Sequence, residues 1–191
     1  MTTPTPHHRP LPRVIAIANQ KGGVGKTTTS VNLGSCLAEM GYRTLIIDLD
    51  PQGNASSGVG IDTRAIETSM YDVVLHEAPL EDCIEPASIR NLFVAPANLD
   101  LAGAEIELVP LFAREMRLKK AIDSIVDDYD FVIIDEAARS ISSELAIAMQ
   151  SAKRVLLVGD HLQLPLLYSD AHKSALARRL GINDKHTELD E

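Results

Sequence analysis

The chain alternates between two hydrophobic rhythms. Five short runs are almost solidly apolar: Val14–Ala18, Arg43–Asp48, Asn91–Ala95, Phe131–Asp135 and Arg154–Gly159. Runs of that length and density predict strands buried on both faces of a parallel sheet. Between them the apolar residues recur at helical spacing. Thr27–Met40 predicts a helix closed by Gly41, Ser69–Leu75 and Leu80–Ile84 two short ones, and Leu99–Leu108 a short helical or irregular connection. Leu111–Asp127 sets Phe112, Met116, Ile122, Ile125 and Val126 on one face, with charges between them. Ser142–Gln150 and Ser169–Leu180 predict two further helices. Asp50–Asp62, rich in Gly, Asn and Ser, reads as a mobile loop.

Strands alternating with helices imply right-handed βαβ units, and so an α/β fold of three layers: a mostly parallel sheet flanked by helices. One such domain is expected over residues 13–181. A disordered leader rich in Thr, Pro and His is expected over 1–12, and a polar tail over 182–191. Ligands of such sheets bind at the carboxyl ends of the strands. Four polar segments fall at such ends: 20–28, 48–54, 135–136 and 159–163.

The first of these segments contains Lys21-Gly22-Gly23-Val24-Gly25-Lys26-Thr27-Thr28. A strand, a glycine-rich loop, Gly-Lys-Thr and a helix together make a phosphate-binding loop, which specifies the α/β fold as that of a P-loop NTPase. Glycines let backbone N–H groups close around phosphate oxygens, and the following helix aims its positive end at the same anion. Lys26 adds a charge that reaches the terminal phosphates, and the Thr27 hydroxyl suits Mg²⁺. The general pattern would place its first glycine at Gln20. The chain carries instead an extra lysine, Lys21, just before the glycines.

Acids end the strands. Asp48 and Asp50 could be turn or capping acids, the common fate of an isolated Asp. A ribose-binding acid of a dinucleotide fold lies at similar spacing after its glycines, but such loops do not need the lysine of Gly25-Lys26-Thr27. Asp135 follows Phe131-Val132-Ile133-Ile134 and reads either as a cap of the next segment or as a Walker B aspartate, which holds Mg²⁺ through water opposite Thr27.

Asn19–Thr29, together with Leu45-Ile46-Ile47-Asp48-Leu49-Asp50-Pro51-Gln52-Gly53-Asn54, closely resembles the ParA/Soj chromosome- and plasmid-partition ATPases. These belong to the deviant Walker A group with MinD and the nitrogenase iron protein, and the resemblance runs from about Arg13 to Asp135. It implies a slow ATPase that uses ATP and Mg²⁺ and forms a homodimer when ATP is bound. It makes Lys21 the signature lysine that reaches the partner's nucleotide. It also gives Asp50 the attacking water to orient and sets Asp48 near the magnesium shell.

Beyond Asp135 the resemblance changes. Where ParA-like proteins continue with Cys/Ala-Pro-Pro, this chain has Glu136-Ala137-Ala138-Arg139. Asp135-Glu136-Ala137-Ala138 and Gly159-Asp160-His161-Leu162-Gln163-Leu164-Pro165 resemble motifs II and III of superfamily 1 helicases. That likeness implies a general base at Glu136 and a γ-phosphate sensor at Gln163. Two water activators, Asp50 and Glu136, then coexist, and the chain reads as a natural hybrid or an engineered chimera joined at a strand both groups share.

Composition narrows the partners. The formal net charge of −9, from 27 acidic and 18 basic residues, disfavours a large non-specific nucleic-acid surface but not a local basic patch, and the family's basic DNA-binding region has no counterpart in the resemblance, so DNA binding is doubtful. No apolar run reaches membrane-spanning length. Cys36 and Cys83 are the two cysteines, too few for a zinc site and unsuited to an iron–sulfur cluster. A cytoplasmic protein fits this usage.

Overall fold

The computed structural model describes residues 13–19, 22–136 and 154–157. The expected leader, the helices Ser142–Gln150 and Ser169–Leu180, the tail, Lys21, Gln163 and most of the helicase-like motif positions lie outside the described residues.

The strands β1 (Arg13–Ala18), β2 (Thr44–Asp48), β3 (Glu85–Pro86), β4 (Leu92–Ala95), β5 (Phe131–Asp135) and β6 (Arg154–Leu157) form one sheet in the order β3-β4-β2-β5-β1-β6. All pairings are parallel except β3 with β4. The register sets Asp48 beside Asp135 and pairs Ile15 with Arg154 and Ala18 with Leu157.

Side chains alternate across the sheet and feed two cores. Leu45 and Ile47 of β2, with Val132 and Ile134 of β5, pack on one face under α3 (Met70–His76), α4 (Leu101–Glu107) and α5 (Arg114–Ile125). Ile46, Ile133 and Ile17 point the other way, under α1 (Lys26–Glu39) and α2 (Asn54–Gly58). Helices therefore cover both faces, the three-layer arrangement expected. Helix α1 lies very close to β2 at Gly34, where a Cβ would come within 2.8 Å of Ile46 Cδ1.

Three details depart from the pattern. The segment expected to be a loop over 50–62 contains α2. Its residues have weak helix propensity, and it forms where the Asp48 carboxylate accepts the Ser56 N–H in its first turn. The helix expected over 111–127 begins only at Arg114, because Ala113 adopts a left-handed φ of 52°. Phe112 therefore precedes the helix and is 97% exposed; Met116 is also exposed, and Leu118, Ile122 and Ile125 make the buried stripe. Strand β3 has two residues, too few for any periodic signal, and its Pro86 sits at the sheet edge, where a missing N–H is tolerated.

Candidate active site

The carboxyl ends of β1, β2 and β5 meet at one place. After β1 the chain turns through Gly22, Gly23, Val24 and Gly25, and Gly25 takes the left-handed φ of 89° that opens α1. No side chain caps the amino end of α1, and no acid lies in its first turn. The terminal N–H groups and the helix dipole are thus presented to an anion. Thr28 is exposed at this end, and Thr29 ties its hydroxyl back to the Gly25 carbonyl at 2.8 Å.

Beneath the loop lies a buried polar cluster. Lys26 Nζ is 3.2 Å from Glu136 Oε2. Asp135, fully buried at the end of β5, accepts a hydrogen bond from Ser30 Oγ on its Oδ1 at 2.5 Å. Its Oδ2 has no hydrogen-bond partner. Burial raises the Asp135 pKa; the nearby Ser30 and Thr27 hydroxyls oppose the rise. Burial likewise raises the Glu136 pKa, against the opposing charge of Lys26.

The β2 acids are committed to their own loop. Asp48 accepts from the Asp50 N–H at 3.0 Å on one oxygen, and from Ser56 N–H and Oγ at 2.9 and 2.7 Å on the other. Burial pushes its pKa up to about 6, despite those bonds. Asp50 accepts from the Gln52 N–H at 3.0 Å and from Asn54 Nδ2 at 3.2 Å. Asp48 is thereby a brace of the segment that holds Asp50.

The structure thus gathers Gly22 to Thr28 with Asp48, Asp50, Asp135 and Glu136. Ser30 and Ser56 are site residues that sequence reasoning missed. Ser30 follows Lys26 by one helical turn on the buried face, the only local signal that it could reach β5. Among the described residues, no group of three or more His, Cys, Asp or Glu could hold a metal. Magnesium asks for less: one or two carboxylates with phosphate oxygens and water suffice. The partnerless Asp135 Oδ2, with the Thr27 hydroxyl close by, fits that requirement.

Comparison with known proteins bears on the family and the fold. A family model described as "AAA domain" matches residues 12–166 and so continues past the point where the sequence resemblance changes. The chain is 55% identical over 123 residues to the sporulation initiation inhibitor protein Soj of Bacillus subtilis (strain 168), covering 64% of this chain and 49% of that protein. It is 49% identical over 123 residues to the chromosome partitioning protein ParA of Myxococcus xanthus, covering 64% of this chain and 44% of that one. The chain therefore spans about half the length of the curated relatives it matches. Among solved structures, cobyrinic acid a,c-diamide synthase from Mycobacterium smegmatis, with bound ATP analog and magnesium, superposes with a TM-score of 0.76. That match is at 33% identity and covers 88% of this chain and 69% of the other.

Proposed function

The chain belongs to the AAA domain family, and on that premise we propose that it is a Mg²⁺-dependent ATPase of the ParA partition type. It binds ATP and ADP, hydrolyses ATP slowly and forms a homodimer with ATP bound. The observation that carries this reading is the uncapped amino end of α1, which begins at Lys26, together with the partnerless oxygen of Asp135 at the end of β5.

In this reading the amides of Gly22 to Thr28 and the Lys26 ammonium bind the phosphates. Thr27 and Asp135 hold magnesium, which screens the phosphate charge, and Ser30 fixes the Asp135 carboxylate from behind. Asp48 braces the β2 loop rather than contacting the metal directly. Water activation falls to Asp50 or Glu136, the two remaining carboxylates. Lys21 completes the charge clamp across the dimer, a cation supplied only when two subunits meet. By the likeness of its segment to helicase motif III, Gln163 is assigned to sense the γ-phosphate. The partition role comes from the names of the relatives, and a cytoplasmic site of action accords with it. No described helix is long and apolar enough to cross a membrane.

Calorimetric titration of ATP and ADP, with and without Mg²⁺, tests the reading on the natural chain and on Lys26→Ala. Magnesium-dependent binding lost in Lys26→Ala is expected, with slow phosphate release. No binding by folded natural protein would overturn it. Binding without any phosphate release would favour instead a recombined P-loop chimera with neither partition nor helicase activity.

A further inference from the structure

The ion pair between Lys26 and Glu136 is not required by phosphate binding, and it opposes it. The two side chains are 5% and 10% exposed, and Nζ lies 3.2 Å from Oε2. A terminal phosphate arriving at Lys26 therefore meets an anion already seated there. Glu136 reaches this position through a left-handed backbone, with φ of 55°. That region is costly for a side chain of its size, and such strain persists only where the surroundings enforce it. Asp50 and Asp135 add negative charge around Glu136. Three carboxylates thus gather around the Lys26–Glu136 pair, and any phosphate adds to that repulsion.

We propose that Glu136 is an internal phosphate mimic. It seats on Lys26 while the loop is empty and swings off as nucleotide phosphates arrive, so that it sets the loop's affinity for every phosphate ligand. The inference rests on the reading of the loop as a nucleotide site. Three consequences follow. The apparent affinity is lowered by the fraction of molecules in which the lysine is already taken. The loss is shared by ligands of the same phosphate chemistry, whether or not they carry a base, because Glu136 competes with phosphate oxygens. Leaving the seat also carries the carboxylate away from Asp50 and Asp135, so the displaced state is accessible.

The test is calorimetric titration of Mg·ADP and of magnesium pyrophosphate into the natural chain, Glu136→Gln, Glu136→Asp and Lys26→Ala. Glu136→Gln should bind both ligands about tenfold more tightly, with a similar gain for each. A merely structural role would give the opposite sign, since a loosened loop binds less well. Thermal melting supplies a second readout. Without ligand, Glu136→Gln should melt below the natural chain, because the buried Lys26 loses the ion pair with Glu136; with pyrophosphate it should gain more than the natural chain does. Glu136→Asp keeps the charge but draws it back by one methylene. It should show an intermediate gain, and it decides the matter if Glu136→Gln does not fold. Binding at natural or weaker affinity by the folded variants, where natural binding depends on Lys26, would overturn the mimic and leave the nucleotide site standing. Failure of every folded variant, the natural chain included, to bind either ligand would overturn both.

Discussion

Replacing Ser30 by alanine removes one oxygen from the floor of the site, and its cost follows from the contacts. Ser30 is fully buried. Its hydroxyl has one proton and two acceptors in reach, Asp135 Oδ1 at 2.5 Å and the Lys26 carbonyl at 3.2 Å. The shorter contact to a carboxylate takes the proton, since charge-assisted bonds are the stronger. Losing a hydrogen bond to a charged partner costs about 1.5–3 kcal/mol. Alanine is the better helix former and returns roughly 0.5 kcal/mol of that. The expected net loss is therefore about 1–2.5 kcal/mol. Urea unfolding followed by circular dichroism, at unchanged slope, measures it. The loss should shrink as pH falls through the raised Asp135 pKa, because a protonated carboxyl accepts a weaker bond. Magnesium should restore more stability to Ser30→Ala with nucleotide than without it. Stability within about 0.5 kcal/mol of the natural chain at pH 7.5 would refute the assignment of Ser30 as the support of Asp135.

Asp48 and the cysteines give further outcomes. With its native pKa pushed up to about 6 from an ordinary 3.8, Asp48 stabilises the fold most when protonated. That contribution is lost as pH rises from about 4 to about 6, by up to about 3 kcal/mol. Unfolding free energies of the natural chain and Asp48→Asn, compared across that window, should diverge accordingly, and parallel pH profiles would contradict it. Burial pushes the Cys83 thiol up to about 12, whereas Cys36 is exposed. A thiol reagent at pH 8 should therefore label one cysteine quickly in the native protein and the second only on unfolding; rapid labelling of both would contradict the burial of Cys83.

The parts of the fold legible in sequence are those whose pattern is local. β1, β2, β4 and β5 announce themselves because burial on both faces demands unbroken apolar runs, and the Gly22–Thr28 loop because phosphate geometry demands glycines and Gly-Lys-Thr at fixed spacing. What escaped depends on distant partners. Helix α2 owes its first turn to Asp48, which lies outside it. Ser30 resembles any helical serine until β5 brings Asp135 against it. The Lys26–Glu136 pair exists because β1 and β5 are neighbours in the sheet, while the two residues lie far apart in the chain. The apolar face of α5 was misplaced at Phe112 because nothing in the sequence marks Ala113 as left-handed.

Strand β6 is only four residues long, yet it lies along the outer flank of the strand that carries the loop. Without it, β1 would become the margin of the sheet, with a row of unpaired backbone donors and acceptors open to a foreign strand. Residues 154–157 thus act as a selvedge. Removing residues 154–157 is therefore expected to leave β1 open to strand pairing with a second chain, and self-association in size-exclusion chromatography would show it.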